Sequence, residues 1–132
     1  MTGLTAGRTF EWVVVEVLRR TQIVQYAGAS GDYNPLHTDE VYATKTAGYP
    51  SVFAHGMLTM GLTGQAIAEL VGPENLLRFG VRFTAQVWPG DTLTVRTTVV
   101  SVADGEAELS VSTVNAGGRE VMSGYAQAKV AG

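Results

Sequence analysis

Strict alternation of apolar and polar residues runs through the second half of the chain. Val81, Phe83, Ala85 and Val87 alternate with Arg82, Thr84 and Gln86. Leu93, Val95, Thr97 and Val99 alternate with Thr94, Arg96 and Thr98, and Leu109, Val111 and Thr113 with Glu108, Ser110 and Ser112. A period of two marks a strand with one buried face. Pro89-Gly90-Asp91, Asp104-Gly105 and the segment from Asn115 to Gly118 carry turn chemistry between these runs, and Val121 to Val130 reads as a last strand. Four strands in succession predict an antiparallel meander with one dry face and one wet face.

The first half has a different rhythm. Phe10 to Val17 is rich in Val and aromatics and predicts one early strand. Thr21 then stands as an N-cap, with Ile23, Tyr26 and Ala27 on one helical face and Gly28 and Gly31 closing the helix. After a loop from Asp32 to His37, Thr38 or Asp39 caps a short second helix, with Asp39 and Glu40 near its positive end, and Gly48 and Pro50 end it. From Gly56 to Val71 apolar residues occupy almost every side of a helix, which predicts an element surrounded by protein. Gly61 and Gly64 inside it each cost about 1 kcal/mol relative to Ala. Such a cost implies a close approach by the sheet, another backbone or a ligand. The economical arrangement is α+β, one domain over residues 1–132, with an antiparallel sheet wrapped around a long central helix.

Composition narrows the function classes. The chain has 132 residues, 16% of them charged, with nine basic and twelve acidic side chains and a formal charge of −3. The bases are scattered, so no nucleic-acid partner is expected. The absence of cysteine excludes disulfides, thiolate catalysis and thiolate metal ligation. Met1 to Phe10 lacks an apolar secretory core, so a cytoplasmic protein is expected. Met57 to Val71 is shorter than the roughly 18 residues a membrane span needs, and it carries Gln65 and Glu69, so no membrane partner is expected either.

Two short runs carry candidate chemistry. In Gly31-Asp32-Tyr33-Asn34-Pro35-Leu36-His37, Gly31 permits an unusual backbone angle and Pro35 restricts both itself and Asn34. The Asn34 side chain can bond the loop backbone. A loop stiffened this way holds Asp32 and His37 in fixed relation, as a general acid–base pair requires. The same residues are also ordinary turn formers, which is their commoner use when taken alone. The second run, Phe53-Ala54-His55-Gly56-Met57, enters the long helix. Helix N-termini present unpaired N–H groups, and the Gly56 amide can point at a carbonyl oxygen on which charge develops. Such a donor is worth about 2.7–4 kcal/mol in a transition state. His55 sits at the cap, where a ring N–H can satisfy backbone. A metal site built from His37, Asp39 and His55 is the weakest reading, since no helical His pair is present, so neither metal nor cofactor is expected.

The stretch from Tyr26 to His37, followed by Ala54-His55-Gly56-Met57-Leu58, resembles the signature of the MaoC-like (R)-specific enoyl-CoA hydratases. It is also similar to the related (3R)-hydroxyacyl-carrier-protein dehydratases. Arg82-Phe83 and Pro89-Gly90-Asp91 extend the likeness over most of the chain. The resemblance implies a hot-dog fold and an Asp32–His37 pair acting on an enoyl or 3-hydroxyacyl thioester of CoA or acyl carrier protein. It makes Gly56 the oxyanion donor and Asn34 the loop support. His55 and Met57 flank that donor, and Gly61 and Gly64 mark the expected acyl groove. One departure is that several hydratases carry a serine near Thr63-Gly64. The resemblance implies a homodimer, with a heterodimer as the variant arrangement. A catalytic subunit of a heterodimeric acyl-carrier-protein, polyketide or steroid-side-chain dehydratase stays open. So do a thioesterase on the same fold, for which Glu69 is the nearest helix carboxylate, and a non-catalytic partner subunit.

Overall fold

The structure, a computed structural model, describes residues 3–130. Strand β1 (Thr9–Val15) leads into helix α1 (Arg20–Ser30), a single π-helical turn (Tyr42–Thr46) and helix α2 (Gly56–Val71). A 3-10 turn (Pro73–Asn75) and four strands follow: β2 (Leu76–Phe83), β3 (Leu93–Ala103), β4 (Glu106–Val114) and β5 (Glu120–Lys129). All pairings are antiparallel, in the order β1-β3-β4-β5-β2. Strands β1 and β2 therefore form the two edges, and the architecture is α+β. No helix among the described residues is long and apolar enough to cross a membrane.

The alternation read from the sequence sorts the sheet faces. Val95, Val99, Leu109, Val111, Ala126 and Ala128 are buried and pack on Ala66, Ile67, Leu70 and Val71 of α2. Each fully buried Val, Leu or Ile contributes about 1.5–3 kcal/mol, so the inner face of α2 is the main clamp on the sheet. A second cluster joins Ile23 of α1 and Ala54, just before α2, to Leu58, Leu93, Val121 and Met122. Between them, the buried hydroxyls of Thr63 and Thr113 bond at 2.7 Å, tying α2 to β4. The hairpin between β3 and β4 has positive φ at both Asp104 (54°) and Gly105 (76°), as a twisted two-residue turn requires.

Four expectations need correction. Thr21 is not an N-cap: α1 begins at Arg20, Arg19 is the cap residue, and no side chain caps it. The second helix shrinks to the π turn, although the Asp39 carboxylate does accept the Tyr42 N–H at 3.1 Å. The strand expected around Val81 to Val87 instead runs from Leu76 to Phe83. Beyond Phe83 the chain leaves the ladder: the Thr84 N–H bonds the Val121 carbonyl, and the Val87 carbonyl accepts from Ala54, just ahead of α2. Gly80 disguises the start of this strand, yet a Cβ there would stand 2.7 Å from the Tyr125 ring. Lastly, α2 is not enclosed on all sides. Met57, Gly61, Gln65 and Glu69 recur every four residues and form an exposed strip.

The buried threonine pair yields a test. Thr63→Val leaves the Thr113 hydroxyl without its partner and should cost about 1–3 kcal/mol, while Thr63→Val with Thr113→Val should recover most of that loss. Chemical denaturation of the three proteins reads this directly.

Candidate active site

The loop after α1 is held by a relay of side chain to backbone bonds. Gly31, at φ 78°, ends the helix by donating its N–H to the Ala27 carbonyl. The Ser30 hydroxyl then accepts the Asp32 N–H (3.1 Å), the Asp32 carboxylate accepts the Asn34 N–H (3.2 Å), and the Asn34 side-chain oxygen accepts the Leu36 N–H (3.0 Å). Each is a bond to the residue two positions on, the local geometry that Ser, Asp and Asn side chains favour. The Asn34 carbonyl also accepts the His37 N–H at 3.0 Å. Asp32 is exposed and His37 half-buried.

The second run is laced onto this loop. His37 Nδ1 lies 2.7 Å from the Phe53 carbonyl, and the Phe53 N–H donates to the Leu36 carbonyl at 3.3 Å. His55 Nε2 lies 3.0 Å from the Asp32 carbonyl. A carbonyl only accepts, so Nδ1 of His37 and Nε2 of His55 carry the protons. The His37 Nε2 is therefore the nitrogen left for chemistry. The two imidazoles stack, with centroids 3.9 Å apart and planes 27° apart, and the Tyr26 ring meets His55 at 4.8 Å. His55 is only 2% exposed, and its Nδ1 is buried with no hydrogen-bond partner. An unsatisfied buried acceptor costs about 1–3 kcal/mol.

Donor atoms of Asp32, His37 and His55 all lie within 4.8 Å of one another. One water molecule spans that distance with two ordinary hydrogen bonds of about 2.8 Å. These three side chains, with Asp32 in place of Asp39, are also the group among the described residues closest to a metal-binding spacing. Each histidine already spends one ring nitrogen on a carbonyl.

Gly56 is the first residue of α2, so its amide has no carbonyl one turn back within the helix. The bonds closing this turn run from Leu58 and Thr59 to the His55 carbonyl. A Cβ on Gly56 would stand 3.1 Å from the Phe83 ring, which lines a cleft of about 370 Å³ together with Phe53, Gly56, Thr59 and Val87. Asp32 and His37 do not line this cleft. They lie beyond Phe53, whose ring meets His37 edge-on at 5.3 Å. Met57, the second residue of α2, is 55% exposed. The cleft does not reach Gly61 or Gly64. Gly64 makes room for the Phe79 ring, 3.0 Å from where a Cβ would stand, so its missing side chain serves packing. Gly61 has no heavy atom within 4 Å of that position, which overturns the expectation of a close neighbour within the chain. Glu69 stands in a separate depression with Trp12, Leu62 and Gln65.

One structural contact near the site escapes sequence reading. Glu40 is placed by its position to favour a helix end. Instead its carboxylate takes two bonds from Arg20, each 3.2 Å, and accepts the Val52 N–H at 2.9 Å. It thus ties the start of α1 to the segment that delivers Phe53. The Arg20 guanidinium, then the Val52 amide, hold the carboxyl below its ordinary value of 4.5.

Comparison with known proteins converges on one family. The family described as MaoC like domain matches residues 3–120. The chain is 39% identical over 94 residues to 3-hydroxyacyl-thioester dehydratase Y of Mycobacterium tuberculosis, covering 69% of this chain and 32% of that protein. It thus spans about a third of that relative's length. The unliganded R-hydratase PhaJ1 from Pseudomonas aeruginosa superposes with a TM-score of 0.83 and 30% identity, covering 96% of this chain and 83% of that one. The (R)-hydratase from A. caviae involved in PHA biosynthesis gives a TM-score of 0.85 at 25% identity, covering 99% and 100%. The sheet and the helix packed on it are the hot-dog fold.

The Glu40 contacts predict a pH-dependent contribution to stability. A carboxyl depressed in the folded state stabilises above its unfolded value and loses that contribution as pH falls through the depressed value. Glu40→Gln should therefore melt below wild type at pH 7, and the gap should close once pH falls well below the ordinary 4.5. Thermal unfolding of both proteins at pH 7 and in acid checks the sign.

Proposed function

The chain belongs to the MaoC-like domain family, and from that premise we propose that it catalyses reversible hydration of trans-2-enoyl thioesters to (3R)-3-hydroxyacyl thioesters. The observation that carries this reading is the Asp32–His37 pair, within 4.8 Å, laced to the run that ends in the Gly56 amide. The R configuration follows the two similar hydratases.

In the hydration direction, one water sits between the Asp32 carboxylate and His37 Nε2. Asp32 takes a proton from it as the water oxygen bonds to C3. The electron pair of the C2–C3 double bond moves toward the thioester carbonyl, whose oxygen is met by the Gly56 N–H. The enolate then collapses, and the pair returns a proton at C2. One proton is taken and one is given back, so the site ends as it began. Dehydration is the same path reversed. Preorganised donors of this kind need no reorientation as charge develops, which is why one helix-end amide matters. The acyl group enters the cleft lined by Phe53, Thr59 and Phe83.

The exposed side of the site is closed by a second copy of the chain in this reading. Strand β2 is an edge, and Leu77 (42%) and Phe83 (48%) are exposed along it. An unpaired apolar edge is an invitation to pair. A homodimer built on β2 uses that edge and keeps both sites intact, and a cytoplasmic location belongs to the same reading.

Crotonyl-CoA, followed at the enoyl absorbance, tests the activity, with release of free thiol marking a thioesterase instead. Asp32→Asn and His37→Gln should each lose about 10²–10⁴ in rate, the scale of a general acid–base group, while remaining folded. Wild-type turnover by either variant removes that residue from the mechanism. Sedimentation should give a dimer mass for the purified chain and a monomer mass for Leu77→Arg; a wild-type monomer contradicts the assembly.

A further inference from the structure

We infer that His55 is a positioning residue, holding the Asp32 backbone and the His37 ring in register through one buried imidazole. The inference deepens the hydratase reading and rests on it for its kinetic arm. His55 is 98% shielded from solvent, so it does not meet the substrate from the open side. Its two structural ties run to the two residues of the pair. Nε2–H donates to the Asp32 carbonyl at 3.0 Å, and the ring face lies on His37 at 3.9 Å. The third neighbour is the Tyr26 ring, at 4.8 Å.

A purely space-filling ring would serve this pocket better as a hydrocarbon. His55 brings an Nδ1 acceptor into the interior and leaves it unpartnered. A burden of that kind is retained where the other nitrogen does something a hydrocarbon cannot, which here is the bond to Asp32. That bond fixes the carbonyl of the residue whose carboxylate must face the water. The stack fixes the ring plane of His37, whose Nδ1–H is already anchored at Phe53 and whose Nε2 direction is thereby set. The side chain also lies at the N-cap of α2, directly before Gly56. One residue therefore links the acid–base pair to the amide expected to receive the carbonyl oxygen.

Two substitutions separate the ring from the donor. His55→Phe keeps a planar ring against His37 and loses the N–H. His55→Gln keeps a side-chain N–H near the Asp32 carbonyl and loses the aromatic ring. With crotonyl-CoA, His55→Phe should lower kcat by about tenfold or more with little change in KM, on the scale that misplacing reacting groups costs. His55→Gln keeps the bond and loses the stack on His37, so its loss in kcat reads the stack alone. Thermal unfolding of both variants corrects for folded fraction. Unchanged kcat in His55→Phe overturns the bond to Asp32 as a positioning tie, and unchanged kcat in His55→Gln overturns the stack on His37. A second readout stands apart from turnover: the Asp32 carbonyl carbon and the Tyr33 and Asn34 amides in NMR spectra. These signals should move in His55→Phe and stay near wild type in His55→Gln. If wild type hydrates no enoyl thioester, the hydratase reading falls, and the spectra alone decide the positioning role. Spectra of His55→Phe unchanged over Asp32 to Asn34 overturn it. An His55→Phe chain too unstable to study is replaced by His55→Leu, judged by the same spectra.

Discussion

Two imidazole N–H groups bonded to two backbone carbonyls hold this site together. His37 reaches forward to Phe53, and His55 reaches back to Asp32, so each run grips the other. Backbone carbonyls are fixed acceptors, and a bond to one sets both the tautomer and the ring direction of its histidine. The loop could be stiff by itself through Ser30, Asp32 and Asn34, and still face the wrong way. The crossed histidines convert local stiffness into a defined relation with the start of α2. The net value of each bond is modest, about 0.5–1.5 kcal/mol for a neutral pair, so their importance lies in placement more than in stability.

Placement of that kind needs a rigid platform, and the packing of α2 supplies it. Ala66, Ile67, Leu70 and Val71 anchor the far half of the helix in the sheet, while Leu58 and Ala54 fix the near end beside Ile23 of α1. Ala54 also donates its N–H to Val87, so the approach to the helix is held by the chain leaving β2. The same departure of the chain after Phe83 opens the cleft next to Gly56. The cleft thus borders both the start of α2 and the end of the β2–β5 ladder. Glu40 adds an outer clasp, joining Arg20 to the Val52 amide one residue before the His37 anchor at Phe53.

The strands β3 and β4 were legible because inward residues alternate along most of their length, and because Asp104-Gly105 names its own turn; β5 was legible from its apolar content, although Val121 and Met122 are buried in succession. The long helix was legible from its apolar run. The start of β2 was hidden by Arg78 and Gly80, whose places depend on β5 lying alongside and on the Tyr125 ring. The exposed strip on α2 was present as a four-residue spacing from Met57 to Glu69, but Met57 and the glycine masked it as apolar. Asp32, Asn34 and His37 could be singled out because Gly31 permits the turn before them and Pro35 restricts the backbone between them. The bond of His55 to Asp32 could not, since it joins residues 23 apart whose meeting is decided by tertiary packing. Glu40 was misread for the same reason: its partners at Arg20 and Val52 are distant in sequence.

The most direct test of the central claim is a crystal structure with a (3R)-3-hydroxyacyl-CoA bound. The expected density places the 3-hydroxyl oxygen between the Asp32 carboxylate and His37 Nε2, about 2.8 Å from the one that accepts its proton, and the thioester oxygen at a similar distance from the Gly56 N–H. A hydroxyl lodged away from that pair, or a thioester oxygen bound elsewhere than at the start of α2, would contradict the account.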